Sequence, residues 1–218
     1  MRSQHIDKFN HDEDAAAYDA GVLNESHPIR AGYEATLACV IEQADIQPGD
    51  VVLDLGSGTG NLSVRIPDCA DLLCVDISAK MTEIARDKLN TRPNVRFIHA
   101  DLLEFFGQDD QRYDAILSTY AVHHLTDDEK LVLFQHISER LNPRGRAVFG
   151  DLMVENESAV EELKAHFRAN GHPDVASDMD DEFFWRVDPS VTALRDLGFD
   201  VQTERFSDLS WGVAARKP

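Results

Sequence analysis

Three glycines stand close together after a run of apolar residues, in the stretch VLDLGSGTGNL at residues 52–62. Glycine is retained where the backbone must turn sharply or approach a ligand closely. The stretch therefore predicts a binding loop that follows a buried strand. Asp54 stands two positions before Gly56, the first of these glycines. A phosphate prefers bare backbone donors, so a pyrophosphate site would gain nothing from a carboxylate at this point.

The dinucleotide-binding fingerprint G-x-G-x-x-G fits this loop only in part. Gly56 and Gly58 supply its first half, but Asn61 stands where the third glycine is needed, and Gly60 comes one residue early. These departures disfavour a pyrophosphate ligand. A nicotinamide-dependent oxidoreductase on a related fold is kept as a less favoured alternative.

Two further aspartates stand at the ends of predicted strands. Asp76 ends the run LLCVD, and Asp101 follows the run VRFIHA. A carboxylate at the end of the second strand can accept hydrogen bonds from both hydroxyls of a ribose, as an acid does in nucleotide-binding folds. Together with Asp54 and the glycine loop, these positions predict one binding site at the edge of a sheet.

A pair of histidines follows the fourth predicted strand, in STYAVHHLTD at residues 118–127. His123 or His124 could act as a general base towards a hydroxyl, thiol or ammonium group, because imidazole titrates near neutral pH. The alternative is that the pair begins a helix and packs against the sheet. Asp151, at the end of the fifth strand, is a second candidate base. No third ligand stands at a suitable spacing, so no metal site is predicted.

The elements that would position these residues alternate along the chain. Short apolar runs predict strands at residues 51–55, 72–76, 95–100, 113–119 and 146–152, and helical patterns cover residues 78–90 and 126–142. Strands that are apolar on both faces and alternate with helices predict a parallel sheet covered on both sides. After a helix that stops at Gly198, two strands separated by a short connection must pair antiparallel.

Two segments fall outside this alternation. Residues 1–45 precede the first strand and are predicted as a helical cap, and residues 153–190 are predicted as a lid insertion. Since no repeat or linker is visible, we predict a single domain over residues 1–218. Aromatic residues that could line an acceptor pocket are Phe183, Phe184, Trp185 and Trp211.

The composition excludes several classes of partner. Forty acidic against 21 basic residues give a net charge of −19, which repels nucleic acid and anionic membranes. The three cysteines form no Cys-x-x-Cys pair and predict neither a disulfide framework nor a zinc site. Because no apolar signal core or membrane-spanning run is present, we expect a cytoplasmic protein.

At this point the motifs carry a family resemblance. The glycine stretch resembles the first motif of class I S-adenosylmethionine-dependent methyltransferases, Asp/Glu-x-Gly-x-Gly-x-Gly, and later motifs follow in order over roughly residues 50–152. The segment FNHDEDAAAYD, at residues 9–19, is similar to the Phe…Tyr-Asp segment that precedes this fold in many small-molecule methyltransferases. The resemblance implies an α/β Rossmann-like sheet of seven strands, mostly parallel with an antiparallel last strand. It also implies helices on both faces and an N-terminal helical cap.

The same resemblance implies S-adenosylmethionine as the methyl donor. Asp54 would face its ammonium group directly or through water, Asp76 its ribose, and Asp101 its adenine amino group, with Leu102 beside the ring. Tyr18 would close over the donor. The implied donor-binding set is Tyr18, Asp54, Gly56, Gly58, Gly60, Asp76, Ile77, Asp101, Leu102 and Ser118.

The implied reaction is methyl transfer to a small-molecule acceptor with release of S-adenosylhomocysteine. The competing hypothesis from another class is a regulatory protein that binds the donor without catalysis. The chain has no Asn-Pro-Pro-Tyr-like segment after the fourth strand, which argues against amino groups of nucleobases or glutamine as acceptors. Arg30 is a candidate partner for the carboxylate of the donor or of an anionic acceptor.

Overall fold

The fold is known from a computed structural model that describes residues 1–8, 12, 15–181 and 183–218. The strands are β1 (Val51–Leu55), β2 (Asp71–Asp76), β3 (Val95–His99), β4 (Tyr113–Thr119), β5 (Leu141–Val154), β6 (Trp185–Arg186), β7 (Asp200–Arg205) and β8 (Ser210–Arg216). The α-helices are α1 (Ala15–Val22), α2 (Tyr33–Ala44), α3 (Ala79–Lys88), α4 (Leu102–Phe106), α5 (Asp127–Arg140), α6 (Glu157–Ala169), α7 (Pro173–Asp181) and α8 (Val187–Asp196).

Seven strands form one continuous sheet in the order β3-β2-β1-β4-β5-β8-β7. The pairs among β1 to β5 are parallel, whereas β8 runs antiparallel to both β5 and β7. The two-residue strand β6 pairs with the end of β5 beside this path. The strand order reverses next to β1, where β1 lies between β2 and β4, and in such sheets ligands bind outside the carboxyl ends of the strands at that point. The predicted fold class is confirmed.

Local signals in the sequence account for the helix ends. The Ser78 hydroxyl accepts a hydrogen bond from the Met81 amide and begins α3, and Thr126 and Glu129 form a capping box at the start of α5. These caps satisfy amide groups that have no partner inside the helix. The sequence analysis missed α4, because a five-residue helix is too short to show a helical period.

Both faces of the sheet are buried, because alternate side chains of its strands pack against helices on opposite sides. On one face, Leu53 and Leu55 of β1 pack in a cluster with residues of α4, α5 and α8. On the other face, Val52 packs in a cluster with residues of α2, α6 and α7 and with Leu89, which follows α3. Because successive side chains of a strand point to opposite faces, this arrangement requires continuous apolar strands. Those strands hold the following loops in fixed positions.

The N-terminal region divides into parts with different roles. Helix α2 packs against β5 and β8, and its Leu37 and Val40 side chains are fully buried. Helix α1, by contrast, contacts α3 near the carboxyl edge of the sheet. The segment predicted as a lid forms α6 and α7, which pack on each other. Among the described residues, no helix has both the length and the apolar character needed to cross a bilayer.

Candidate functional site

A cavity of about 250 Å³ opens at the carboxyl ends of β1, β2 and β4. It is bounded by the glycine loop after β1, by the turn after β4, by the segment before α2 and by Asp178 of α7. Of the residues predicted from the sequence, those that line it are Tyr18, Gly56, Gly58, Asp76, Ile77, Asp101, Leu102, His123 and His124. The other four predicted residues, Asp54, Gly60, Ser118 and Asp151, lie behind this wall.

The glycine loop needs glycine for two different reasons. Gly58 has φ +52°, and a Cβ atom there would have no neighbour closer than the Met81 sulfur at 3.7 Å. A Cβ atom on Gly56 would lie only 2.3 Å from the Ala121 Cβ atom. Gly56, with φ +69°, and Gly58 both hold a conformation that side chains disfavour, and Gly56 in addition allows the loop to pack tightly against the turn after β4.

Gly60 and Ser118 serve the packing around the cavity. Gly60 faces α3, where an added Cβ atom would come within 3.2 Å of the Ala85 Cβ atom. The Ser118 hydroxyl donates a hydrogen bond to the Leu55 carbonyl at 2.7 Å and thereby joins the ends of β4 and β1. Both residues support the loop from behind.

Asp54 is a buried carboxyl group with a hydrogen-bond partner at only one of its two oxygens among the described residues. Its Oδ2 atom accepts a hydrogen bond from Ser63, and its Oδ1 atom has no hydrogen-bond partner among the described residues. Burial raises the pKa of Asp54 to about 7, against the opposing effect of the Ser63 hydrogen bond. A buried, partly unsatisfied carboxyl group of this kind is suited to a cation or to an ordered water molecule.

Asp76 connects the glycine loop to the start of α3. Its Oδ2 atom accepts a hydrogen bond from the Gly58 amide at 2.7 Å, and its Oδ1 atom accepts one from the Ser78 amide at 2.8 Å. An ionised carboxylate has about four acceptor sites. Asp76 can therefore hold the loop and still accept hydroxyl groups from a ligand in the cavity.

Asp101 is engaged by the N-terminal segment as well as by its own helix. It caps α4 by accepting hydrogen bonds from the Leu103 and Glu104 amides. The Ser3 amide donates to its Oδ1 atom at 3.1 Å, and the Ser3 hydroxyl donates to its Oδ2 atom. Because Ser3 itself lines the cavity, it occupies a position where a ligand amino group could meet Asp101.

Helix α1 is fastened to the glycine loop by Asp19, which the sequence analysis did not single out. The Thr59 hydroxyl and the Asn61 amide group donate to its Oδ1 atom at 2.6 and 3.1 Å, and Lys88 pairs with its Oδ2 atom at 2.6 Å. Asn61 also donates to the Tyr33 hydroxyl at 3.1 Å. Asn61 stands at the position of the third glycine in a dinucleotide fingerprint. Here its side chain links the glycine loop to the N-terminal region. Of the preceding motif, residues 9–11 and 13–14 lie outside the described residues.

His123 and Asp151 form a hydrogen-bonded pair at the wall of the cavity. The distance between His123 Nδ1 and Asp151 Oδ1 is 2.5 Å. Asp151 also accepts hydrogen bonds from the amides of Val122 and His123 and from the Trp185 indole. Only 1% of Asp151 is exposed, so it lies behind His123 rather than on the cavity surface. This arrangement fixes the orientation of the His123 ring.

A buried lysine joins the same turn to the lid. Lys130 Nζ donates hydrogen bonds of 2.6 Å to the carbonyls of Leu125 and Phe183, and the Phe183 amide donates to the His123 carbonyl at 3.1 Å. Burial lowers the pKa of Lys130 to about 7, although Asp151 and Glu129 oppose that shift. The lid is therefore anchored directly to the backbone of the histidine turn.

The four aromatic residues proposed as acceptor-pocket walls do not line the cavity. Trp185 is fully buried and packs against Phe134 and Phe149 in the core, and Phe184 contacts the His123 ring edge-on from behind. Phe183 stacks on the ring of His5, and the Arg205 guanidinium lies over the Trp211 ring. Arg30 does line the cavity, with its guanidinium 5.5 Å from the centre of the Tyr18 ring.

Comparison with known proteins identifies the family. The model of a methyltransferase domain matches residues 52–145. An uncharacterized methyltransferase of Oceanobacillus iheyensis is 30% identical over 221 residues, which cover 100% of this chain and 99% of that protein. Another from Anoxybacillus flavithermus is 32% identical, with coverage of 93% and 94%.

Solved structures show the same fold at lower sequence identity. The magnesium protoporphyrin IX methyltransferase of Synechocystis PCC 6803 with bound SAH has a TM-score of 0.71 at 18% identity, with 99% of this chain and 100% of that chain covered. The N-methyltransferase NodS of Bradyrhizobium japonicum WM9 in complex with S-adenosyl-L-homocysteine has a TM-score of 0.65 at 15% identity, with coverage of 99% and 98%.

The identity and coverage of the relatives show that the chain belongs to the methyltransferase family. Its Rossmann-like sheet, with the antiparallel strand β8 inserted between β5 and β7, places it among the class I S-adenosylmethionine-dependent methyltransferases. The family predicted from the motifs and the methyltransferase function are confirmed. The oxidoreductase and the non-catalytic binding protein are not supported.

Proposed function

We propose that this enzyme methylates a small-molecule acceptor whose nucleophile must lose a proton, and that His123 accepts this proton. The observation that carries the proposal is the hydrogen bond between His123 and the buried Asp151 at the cavity wall. A base oriented in this way is suited to a hydroxyl, thiol or ammonium nucleophile.

The glycine loop and the neighbouring strand ends fit the methyl donor. Gly58 leaves space beside its backbone, and the unsatisfied oxygen of Asp54 fits the donor ammonium group through a bridging water molecule, because Asp54 lies behind the wall. Among the described lining residues, Arg30 is the one lysine or arginine, beside the acidic Asp76, Asp101 and Asp178. A surplus of carboxylates suits a cationic sulfonium and disfavours phosphate.

Residues at the ends of β2 and β3 are suited to the ribose and the adenine of the donor. Asp76 would accept hydrogen bonds from the ribose hydroxyls, and Ile77 and Leu102, which line the cavity, would hold the adenine ring. Asp101 would accept a hydrogen bond from the adenine amino group once Ser3 yields part of its contact. Tyr18 would cover the donor from α1, and Gly60 and Ser118 would support the loop without touching the ligand.

When bound, S-adenosylmethionine supplies a methyl group that its sulfonium already activates. His123 donates a hydrogen bond from its Nδ1–H group to the Asp151 carboxylate, which leaves Nε2 as the basic nitrogen of the neutral ring. The acceptor's proton passes to Nε2, and the Asp151 carboxylate stabilises the imidazolium that results. Asp151 is therefore a positioning residue and not the base itself. The turn at His123 and the lid hold the acceptor in line with the methyl group and exclude water.

The covering of the cavity supports a small acceptor. Helix α1, the segment before α2 and helix α7 all contribute to its walls, so an acceptor must fit beneath them. The net charge of −19 disfavours nucleic acid as a substrate. The cytoplasmic location stays a prediction from the sequence.

The proposal is tested by a screen of small phenols, thiols, amines and carboxylic acids with a radiolabelled methyl donor. We expect S-adenosylhomocysteine to form with an acceptor that carries an ionisable hydroxyl, thiol or ammonium group. His123→Ala should lower turnover by about 10²–10⁴-fold, the usual contribution of a positioned base, with donor affinity unchanged.

His124→Ala is the matched control, because the His124 ring lies 4.0 Å from that of His123 and lines the same cavity. It should change turnover only several-fold. Turnover of the parent should fall at acid pH, because protonation of the imidazole removes the base, and Asp151→Asn should change this pH profile. A folded His123→Ala enzyme with parental turnover at every pH would contradict the assignment of the base.

A further inference from the structure

Two histidines and an aspartate from distant parts of the chain meet at the outer rim of the cavity. His27 lies between α1 and α2, whereas His172 and Asp174 lie at the start of α7. The distance from His27 Nε2 to Asp174 Oδ2 is 3.0 Å, and the two histidine rings are 5.9 Å apart, edge to face. One ligand atom from each residue can be chosen so that all three lie within 4.8 Å of one another.

We infer that His27, His172 and Asp174 bind a divalent cation of the zinc class and thereby join the N-terminal cap to the lid. Two imidazoles and one carboxylate, with water in the fourth position, form a ligand set that zinc accepts. Zinc–ligand distances of about 2.0–2.2 Å bring ligand atoms to about 3.3–3.6 Å apart. Exposed side chains can close the remaining gap by χ rotation, since 37% of the His27 side chain and 59% of the Asp174 side chain are exposed.

The position of the cluster gives the cation a role at the cavity. Ile29 and Arg30 follow His27 closely and line the cavity, and Asp178 lines it one helical turn after Asp174. A cation held by both segments therefore fastens two walls of the same cavity. The net charge of −19 also favours cations near the surface.

The simpler explanation of this cluster is a hydrogen bond between His27 and Asp174 without a metal. The third residue, His172, distinguishes that explanation from a metal site. His172 takes no part in that hydrogen bond, so a two-residue ion pair is indifferent to its removal. If the cluster is a metal site, removal of His172 takes away one of its three protein ligands. The sequence analysis predicted no metal because these ligands come from segments that only the folded chain brings together.

Calorimetric titration of zinc chloride into the chelator-treated full-length protein tests the site. We expect one zinc ion per chain with a micromolar dissociation constant at pH 7.5, and an affinity at least about 30-fold lower in both His172→Ala and Asp174→Asn, since each loses a metal ligand. His166→Ala is the matched control, because His166 is an exposed histidine on the neighbouring helix α6. Its zinc affinity should equal that of the parent. Variants that bind zinc as tightly as the parent, or a parent that does not bind it, would overturn the site.

Hydrogen exchange tests whether the cation joins the cap to the lid. Zinc should slow amide exchange in residues 173–181 several-fold in the parent and leave Asp174→Asn unchanged. Cobalt(II) in place of zinc should give the visible absorption bands of a tetrahedral site, and His172→Ala should lose them. Zinc binding that leaves exchange in α7 unchanged would refute the bridging role. None of these measurements depends on methyl transfer, so their failure is independent of the proposed function.

Discussion

The cavity has two halves that are built in different ways. The donor half consists of the glycine loop and the ends of β1, β2 and β3, and Asp76 there is hydrogen-bonded to Ser78, two residues later, and to Gly58, 18 residues earlier in the chain. The acceptor half consists of the turn after β4, the end of β5 and the lid. There His123 contacts Asp151, and Asp151 in turn contacts Trp185. The donor half is thus built from the glycine loop and neighbouring strand ends, with Ser3 and Asp19 added from the N-terminal region, whereas the acceptor half depends on contacts between β4, β5 and the segment at residues 153–190.

This difference suggests that the halves can be altered separately. Substitutions in the donor half should change the affinity for the donor and leave the chemistry of the acceptor alone. Substitutions at His123 should do the reverse. Substitutions can test whether the donor half and the acceptor half are independent, and the largest effect is expected at Gly58.

Gly58→Val should abolish donor binding, which means an affinity lower by about 100-fold or more. The φ of +52° at Gly58 disfavours a branched side chain, and the valine would fill space beside the backbone that the donor requires. Gly49→Val is the control, since an added Cβ atom there meets nothing within 4 Å. Calorimetry with S-adenosylhomocysteine measures both affinities. A folded Gly58→Val protein with parental affinity would remove the glycine loop from the donor half.

Asp76→Ala should weaken donor binding by about 1.5–3 kcal/mol, or about 10–150-fold, because a carboxylate that bonds the ribose is lost. Asp71→Ala is the matched control, since Asp71 begins the same strand and pairs with Arg96 at its other end. The control should leave donor affinity unchanged. Equal effects of the two substitutions would mean that the loss reflects damage to β2 and not a missing contact.

Donor affinity should fall as the pH is lowered through about 7. Burial raises the pKa of Asp54 to about 7, so below that pH the group is protonated in the free protein. A cationic donor favours the ionised form and must displace this proton, which lowers affinity by up to about tenfold for each pH unit. Calorimetry between pH 5.5 and 8 measures the slope.

Asp54→Asn tests whether the pH dependence of donor affinity arises from Asp54 or from other groups at the cavity. The variant should bind the donor more weakly at pH 8 and should lose most of the slope. The same pKa shift has a consequence for stability: the folded state binds this proton more tightly than the unfolded chain, so this group's contribution to stability decreases as the pH rises from about 4 to 7. A slope that persists unchanged in Asp54→Asn would assign it to other groups.

Ser3→Ala should have the smallest effect and the opposite sign. Removal of the Ser3 hydroxyl leaves Asp101 Oδ2 available to the adenine amino group, so donor affinity should rise by about 2- to 10-fold, the value of a typical hydrogen bond. Gln4→Ala is the control, because Gln4 is held to Glu129 through its backbone amide. Weaker binding in Ser3→Ala would show that the N-terminal segment supports the donor instead of competing with it.

The sequence predicted the parts of the molecule whose signals are local. Strand periodicity, the Ser78 cap, the capping box at Thr126 and the glycine stretch all lie within a few residues, and the fold followed from them. The same holds for Asp76 and Asp101, which end their strands at the cavity. Their roles in binding stay predictions, although the geometry supports them.

The features that the sequence did not predict depend on contacts between distant segments. The contact between His123 and Asp151 joins the ends of β4 and β5, and Asp19 reaches the glycine loop from α1. Trp185 was assigned to an acceptor pocket because aromatic residues suit such walls, but β6 places it in the core. No pattern within one segment reveals which of its polar or aromatic residues will face a partner from another.

A crystal structure of the protein with S-adenosylhomocysteine tests the two-halved cavity most directly. The account predicts the ribose hydroxyls within about 3.2 Å of the Asp76 carboxylate, the adenine ring beside Leu102, and the sulfur directed towards the His123 side of the cavity. A ligand bound in the reverse orientation, with its adenine beside His123, or bound outside this cavity, would contradict the account.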